Sequence, residues 1–456
     1  MLYATLAALS AALLFFVWIG LRARTEGGDL DEYLTARNSQ SATTLGMSFL
    51  ASGLGAWILF APPEVGAFVG PVAVAGYALG AALPFAVLAW CGPAIRRLLP
   101  QGRSITEYAQ ARFGTGLRLW VSFISVLYMA CFLTAELSAI GAITSMLSPV
   151  PGWVAVLGVA VATLVYTAWG GLRASLITDS WQAWLLLALL VVVLGVAWQH
   201  QPVQTQPLNW PSAPVGDALS VALTLVIAVT AANMFHQGYW QRVWSASSEK
   251  ALSRAAWLGG LTTVVVVAVV GMVGVWVAAT GRDMGSPPIP FFTLVAAAPA
   301  WLALPTLLLA VALVASSVDT LENAMASVVV TAGKGQTLSA ARWTTVLLMV
   351  PVVLVALQGV SVLRLFLIAD LLCATAVVPV LLGLWQRMTP LAAMSGAVAG
   401  VVGAVLPGWW VQGDFAQGLL MTSFPNSIPT LAPFVGALAA SSAVSLLVVF
   451  ARPRQR

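Results

Sequence analysis

Ser316, Asp319 and Asn323 recur at i, i+3 and i+7 in the apolar stretch 311–327, so in a helix they share one face with Ser317 and Thr320 beside them. Hydroxyl and carboxylate oxygens on one stripe suit a hard cation such as Na⁺. Paired serines in such a helix also bond back to the preceding turn or across to a neighbour, which is the plainer account of the same residues. The carboxylate shifts the balance, because an ionisable group inside an apolar span is costly and marks function by default. A second candidate is the stretch 47–66, where Gly53 and Gly55 loosen the middle of a helix and Pro62-Pro63 are expected to break its end. Carbonyls freed there are tolerated only where they line a cavity, and in carriers such interruptions hold ions and substrates. A third is 165–182, in which Asp179 is expected at the opening of a helix, where an acid also favours the helix dipole.

The elements that position these residues follow from composition. Of 456 residues 60% are hydrophobic and 8% charged, against roughly 25% charged in a soluble domain. Runs such as 183–199 and 261–279 carry no charge and approach the ~20 residues that cross a hydrocarbon core of about 30 Å. In lipid every backbone amide must be paired within its segment, and these spans are too long and too continuously apolar for barrel strands. The expectation is an all-α integral membrane protein of about thirteen helices, starting near 3, 44, 72, 119, 153, 178, 219, 256, 301, 342, 361, 390 and 430. No polar connection is long enough to bury a core of its own, so 1–456 reads as a single transmembrane domain.

The first apolar stretch has no basic residue before it, while Arg22 and Arg24 follow, which reads as a retained helix with its N-terminus outside. An odd helix count then ends inside. Under that arrangement eighteen of the twenty basic residues, all but Arg282 and Arg364, fall on the cytoplasmic side, as the positive-inside rule requires. The net charge of +5 is therefore topological; the basic residues form no face for nucleic acid. Cys91, Cys131 and Cys373 lack the spacing of a disulfide framework or metal cluster. Phosphate-binding GxxxxGK[ST] and hydrolytic HExxH or GxSxG patterns are absent, which argues against nucleotide use or an enzyme. In the connection 102–114, Ser104 with Glu107 three residues on reads as the N-cap of a short amphipathic helix on the inner surface.

Four ordered motifs carry a resemblance. Tyr166-Thr-Ala-Trp-Gly-Gly171 with Thr178-Asp179 and Gln182, the Arg103–Gly114 stretch, Gln237-Gly-Tyr-Trp-Gln-Arg242 and Ala315-Ser-Ser-Val-Asp-Thr320 resemble, in matching order, the sodium:solute symporter family. The resemblance implies a five-plus-five inverted repeat of the leucine-transporter type. Residues 44–200 would form the first repeat (helices 2–6) and 219–386 the second (helices 7–11). An extra helix at 3–23 and two peripheral ones within 390–451 would lie outside. It also implies a coupling Na⁺ held by the backbone oxygens of Ala51, Leu54 and Leu313 and the hydroxyls of Ser316 and Ser317. A second ion or a proton would fall to Asp179, Ser316, Asp319 and Thr320.

The function so implied is sodium-coupled symport of a small polar organic solute, urea-like or amino-acid-like. Proton coupling on the same fold, or a sensor that does not transport, are the alternatives. Gly53 stands where the family's proline carriers place an acid, which argues against a proline-type site. The other solute candidates are Trp57, Glu64, Glu136, Asn233, His236 and Gln237. The stretches around 57–64 and 235–242 look closer to the urea and polyamine branch than to the sugar branch. Beyond the solute and membrane lipid no partner is expected, and the location is the inner, or plasma, membrane with the C-terminus cytoplasmic.

Overall fold

The computed structural model describes residues 2–23, 28–204, 207–333, 336–359, 363–424 and 429–451. Arg24, Lys334, Arg452, Arg454 and Arg456, counted above as cytoplasmic, lie outside the described residues. The helices are α1 (Leu2–Arg22), α2 (Leu30–Thr35), α3 (Ala42–Gly53), α4 (Ala61–Val69), α5 (Pro71–Leu98), α6 (Ile105–Phe113), α7 (Thr115–Leu147), α8 (Gly152–Gln199), α9 (Val215–Asn233), α10 (Gln237–Ser245), α11 (Glu249–Ala279), α12 (Pro290–Ala296), α13 (Ala303–Ala332), α14 (Leu338–Leu357), α15 (Leu363–Leu381), α16 (Pro390–Gln412), α17 (Phe415–Thr422) and α18 (Leu431–Ala451). Among the described residues the one β-type pairing is an isolated bridge between Gln40 and Ala246.

Among the described residues eleven helices are long and apolar enough to cross a membrane, and twelve if α3 and the segment Ala56–Val69, bent by 58°, count as one broken span. α8 is 48 residues long. Straight, it would reach about 70 Å, more than twice the hydrocarbon thickness. It turns instead at Gly171, whose φ of 61° and ψ of −152° suit only glycine. A Cβ there would also lie 2.4 Å from the Tyr33 carbonyl oxygen. Of the expected starts, those near 3, 44, 72, 119, 219, 256, 342 and 390 fall on separate helices and those near 153 and 178 on the two arms of α8. The start near 301 falls on a 3-10 turn leading into α13, that near 430 one residue before α18, and that near 361 lies outside the described residues.

The helices sort into two packed bodies. α11 lies along α5 and both arms of the broken span, and α5 lies along α9. α13 packs against α7, α8 and α14. α1 lies on α8, while α16 and α18 pair at the periphery beside α15.

The prolines act differently from expectation. The helix breaks earlier, at Leu54 (φ −107°, ψ 95°), and continues as a 3-10 turn, Ala56–Leu59. Pro62 and Pro63 begin α4 rather than end a helix, because proline's missing N–H costs nothing in a first turn.

One end of the bundle is tied together by arginines. Arg37 pairs with Asp31 at 2.6 Å, and Arg96 donates to Asn38 at 2.5 Å and to the Ala246 carbonyl at 2.8 Å. Arg112 donates to the carbonyls of Gly383, Trp385 and Met388 at 2.7–3.0 Å, and Arg118 to Ala332 at 3.0 Å. Ala332 is the last residue of α13, where carbonyls have no partner inside the helix. α6 forms as expected, with Ser104 accepting from the Glu107 amide at 3.1 Å, and its buried Ile105, Tyr108 and Phe113 pack into this same end. Arg282 and Arg364 sit at the opposite end, bonded to Gln201 and to Ser423.

Candidate ion and solute site

The inner arm of the broken span, α3, and the serine stripe of α13 meet at the centre of the molecule. The Ser316 hydroxyl donates to the carbonyl oxygens of Ala51 and Leu313, each at 2.9 Å. Ser317 donates to Leu313 at 3.3 Å. Four of the five residues expected to hold Na⁺ thus form one cluster of oxygens, all fully buried. Leu54, the fifth, is buried one turn beyond Ala51, where its extended backbone has left the helix. Hydroxyl and carbonyl oxygens of this kind are the donor set a hard cation takes.

Beside this cluster lies a network of buried charge. Asp179 and Arg242 form an ion pair at 2.8 Å with neither side chain exposed. Ser48 donates to Asp179 at 2.5 Å and accepts from Arg242 Nε at 2.9 Å. Arg242 also donates to the Gly238 carbonyl at 2.6 Å and to the Thr320 hydroxyl at 3.1 Å. Asp319 accepts from Tyr166 at 2.6 Å, Ser175 at 2.7 Å and Thr178 at 3.0 Å.

Two expectations are corrected here. Asp179 lies within the second arm of α8, eight residues past the break, and its carboxylate answers a guanidinium rather than a helix dipole. Arg242, expected among the basic residues of the cytoplasmic side, is not at a solvated surface but fully buried within α10. A lone charge in such a place would cost several kcal/mol, so each partner requires the other. Of the residues assigned to a second ion or a proton, Asp179, Asp319 and Thr320 come together around this network. Ser316 belongs to the oxygen cluster at Ala51.

A cavity of about 770 Å³ opens between the two helix bodies, within the usual range for small-molecule sites of roughly 300–1,000 Å³. Gly53, Trp57, Glu136 and Asn233 line it, as do Ser145, Gly152 and Gly359 at the ends of α7, α8 and α14 away from the arginine-rich side. Trp57 stacks on Tyr77 at 5.4 Å between ring centroids. Glu136 accepts from the Ala56 amide at 2.7 Å, so it caps the 3-10 turn after the break. A Cβ on Gly55 would approach Glu136 Oε1 to 2.2 Å, which is why that position has none.

The other three solute candidates lie off the cavity. His236 is fully buried and stacks on Tyr239 at 4.4 Å. Gln237 accepts from the Ile105 amide at 3.0 Å and donates to the Arg103 carbonyl at 2.9 Å, closing the arginine-rich end. Glu64 is half-buried on α4, outside the lining. Conversely, Asp370, Tyr77, Tyr128 and Phe366 line the cavity without having been singled out. Asp370 was within reach of sequence reasoning, since an acid inside an apolar span is the same signal that marked Asp319.

A broken helix facing an oxygen-bearing one, beside a cavity between two helix bodies, defines a membrane carrier of the interrupted-helix type. The sodium:solute symporter family profile matches residues 33–400, and the chain belongs to that family. It is 28% identical over 386 residues to spermidine transporter DUR31 of Candida albicans, covering 82% of this chain and 74% of that protein. Rat sodium/glucose cotransporter 2 is 28% identical over 202 residues, 42% of this chain and 29% of its own. A substrate-bound, outward-open Na⁺-coupled sialic acid symporter has the same fold, with a TM-score of 0.74 at 16% identity over 97% of this chain and 98% of that one. The inward-facing form of Mhp1 aligns with a TM-score of 0.56 at 14% identity, over 92% of this chain and 94% of its own. The chain is therefore a multi-pass, all-helical membrane transporter of the leucine-transporter type and not an enzyme.

Proposed function

We propose that this protein is a sodium-coupled secondary symporter that carries a small polar organic solute by alternating access through the cavity. The observation that carries the reading is the 2.9 Å contact from Ser316 to the Ala51 carbonyl, a bridge of oxygens between the two helix bodies. A Na⁺ held by Ala51, Leu54, Leu313, Ser316 and Ser317 would pull α3 and α13 together, so ion binding and the arrangement of the bodies are one equilibrium. The ends of α7, α8 and α14 that frame the cavity face away from the arginine-rich side, so this reading has the cavity open to the outside. The N-terminus is then outside and the C-terminus cytoplasmic, in the plasma membrane, with repeats at 44–200 and 219–386. The spermidine transporter among the relatives supports an amine over a urea-like or amino-acid-like solute.

One charge moving through 100 mV releases about 2.3 kcal/mol, and a tenfold Na⁺ gradient adds about 1.4 kcal/mol. One ion could thus concentrate a neutral solute roughly 500-fold. A second reading, proton coupling, rests on Glu322: it is buried with Oε1 accepting from Thr163 at 2.9 Å, while Oε2 has no partner among the described residues.

The test is uptake into proteoliposomes of labelled spermidine, urea and amino acids, with Na⁺ replaced by choline at two pH values. Uptake is expected only with inward Na⁺. In Ser317→Ala the Na⁺ concentration for half-maximal uptake should rise about tenfold or more. Full uptake in choline, driven by a pH gradient, overturns sodium in favour of protons.

A further inference from the structure

Asp370 is 4% exposed, lines the cavity, and among the described residues has no hydrogen-bond partner or ion-pair partner; its Oδ1 is buried and unpaired. Among the described residues every other carboxylate buried to this degree is engaged. Glu136 holds the Ala56 amide, Asp179 holds Arg242 and Ser48, Asp319 takes three hydroxyls and Glu322 takes Thr163. A buried carboxylate with no donor either holds a proton or is answered by a group that comes and goes and supplies the missing charge.

The surroundings indicate the chemistry of that visitor. Phe366, one turn before Asp370 on α15, has its ring 5.7 Å from Tyr128 and 6.0 Å from Phe132. Tyr77 and Tyr128 line the same cavity as Asp370, and Trp57 stacks on Tyr77. Aromatic walls around a carboxylate attract alkylammonium groups through the ring faces and accept the methylenes between charges. Two carboxylates and, among the described residues, no Lys, Arg or His line the cavity, so its formal charge is complementary to a dication. Urea carries no charge to answer Asp370 and fills little of a space of about 770 Å³.

We propose that Asp370 is the anchor for an ammonium group in the transport cavity, and that the solute is a linear aliphatic di- or polyamine whose chain lies along Phe366, Tyr128 and Trp57. This deepens the symport reading and rests on it, because it places the cargo in the same cavity. A primary ammonium group meets Asp370, and Glu136, the other carboxylate in the lining, answers the second positive charge.

The experiment is binding of labelled 1,4-diaminobutane to the purified full chain in lipid nanodiscs. It is run beside ²²Na⁺ binding and competition by urea and by 1-butanol. The wild type should bind the diamine in competition with longer polyamines and not with urea or butanol. Asp370→Asn should lose diamine affinity by about 10–100-fold, the range of a charge-assisted contact, and keep ²²Na⁺ binding. An Asp370→Asn protein with wild-type diamine affinity overturns the anchor, as does a wild type that binds urea with no competition from diamines. Loss of diamine binding in Asp370→Asn, in a protein whose wild type binds no ²²Na⁺, overturns sodium symport and leaves the anchor standing. Should Asp370→Asn not fold, Asp370→Glu carries the test: its longer side chain should shift the preferred diamine toward a shorter chain, and an unshifted length profile overturns the proposal.

Discussion

The two ends of the same bundle handle polar groups in opposite ways. At the arginine-rich end several junctions between helices are closed by directional bonds: Gln237 to Arg103 and Ile105, Gln241 to the Leu34 carbonyl at 2.8 Å, Arg112 to four carbonyls, and Arg242 to Asp179. At the other end the helices stand apart around a cavity walled by rings, with a carboxylate that has no partner. Ring walls tolerate an opening because they leave no unmet hydrogen bonds, whereas the arginine end can open only by breaking several bonds together. Which side is closed is thus decided by where the hydrogen bonds are, and the Arg242–Asp179 ion pair is fully buried among them.

Removing that pair's cation should have the largest effect. Arg242→Ala strands a buried Asp179 carboxylate at a cost of about 3–5 kcal/mol. We expect uptake to fall more than 100-fold and single cysteines placed near Ser48 to become reactive from the arginine-rich side. A variant that transports normally and stays unreactive would mean that the two ends are not held by different means.

A smaller effect is expected at the cavity wall. In Gly55→Ala the new methyl must displace Glu136, whose Oε1 would be 2.2 Å away, and so release the Ala56 amide. Uptake should fall about tenfold with helix content by circular dichroism unchanged, because a lost buried hydrogen bond is worth about 1–3 kcal/mol.

The smallest belongs to the exposed rim of the clasp. Burial alone would raise the Asp31 carboxyl, but the hydrogen bond and charge of Arg37, with the charge of Arg103, hold it below the ordinary carboxylate value of 3.8. Its contribution is therefore present above the unfolded value and is lost as pH falls through the lower, folded one. Asp31→Asn should change the melting temperature and neutral-pH uptake little and remove only a strongly acid-dependent loosening, as suits a partly exposed pair. A large loss at neutral pH would place the hold of this end at its rim rather than at Arg242.

Much of this molecule was legible from local pattern. Apolar length located the helices, glycine spacing located the interruption near 53–55, and Ser104 with Glu107 announced α6. The Ala51–Ser316 meeting came from family motifs, since 265 residues separate the two and no spacing rule joins them. The misreadings share one cause. Pro62-Pro63, Asp179 and Arg242 were judged by their sequence neighbours, yet their roles are set by what packs against them from elsewhere in the chain. Asp370 was passed over because no motif surrounds it, although its charge in an apolar span was visible.

The broken span is also welded to a neighbour. A Cβ on Gly274 would come within 1.8 Å of the Pro63 carbonyl oxygen, one on Gly66 within 2.4 Å of that of Gly271, and one on Gly259 within 2.8 Å of the Phe49 side chain. Along this flank, glycines let α11 nest directly against both arms. The arms and α11 are thereby joined into one hull, whereas on the opposite flank α3 meets α13 through the Ser316–Ala51 contact and α8 through the Ser48–Asp179 contact. Polar contacts of that kind can be exchanged for other polar partners, while a glycine joint has nothing to release.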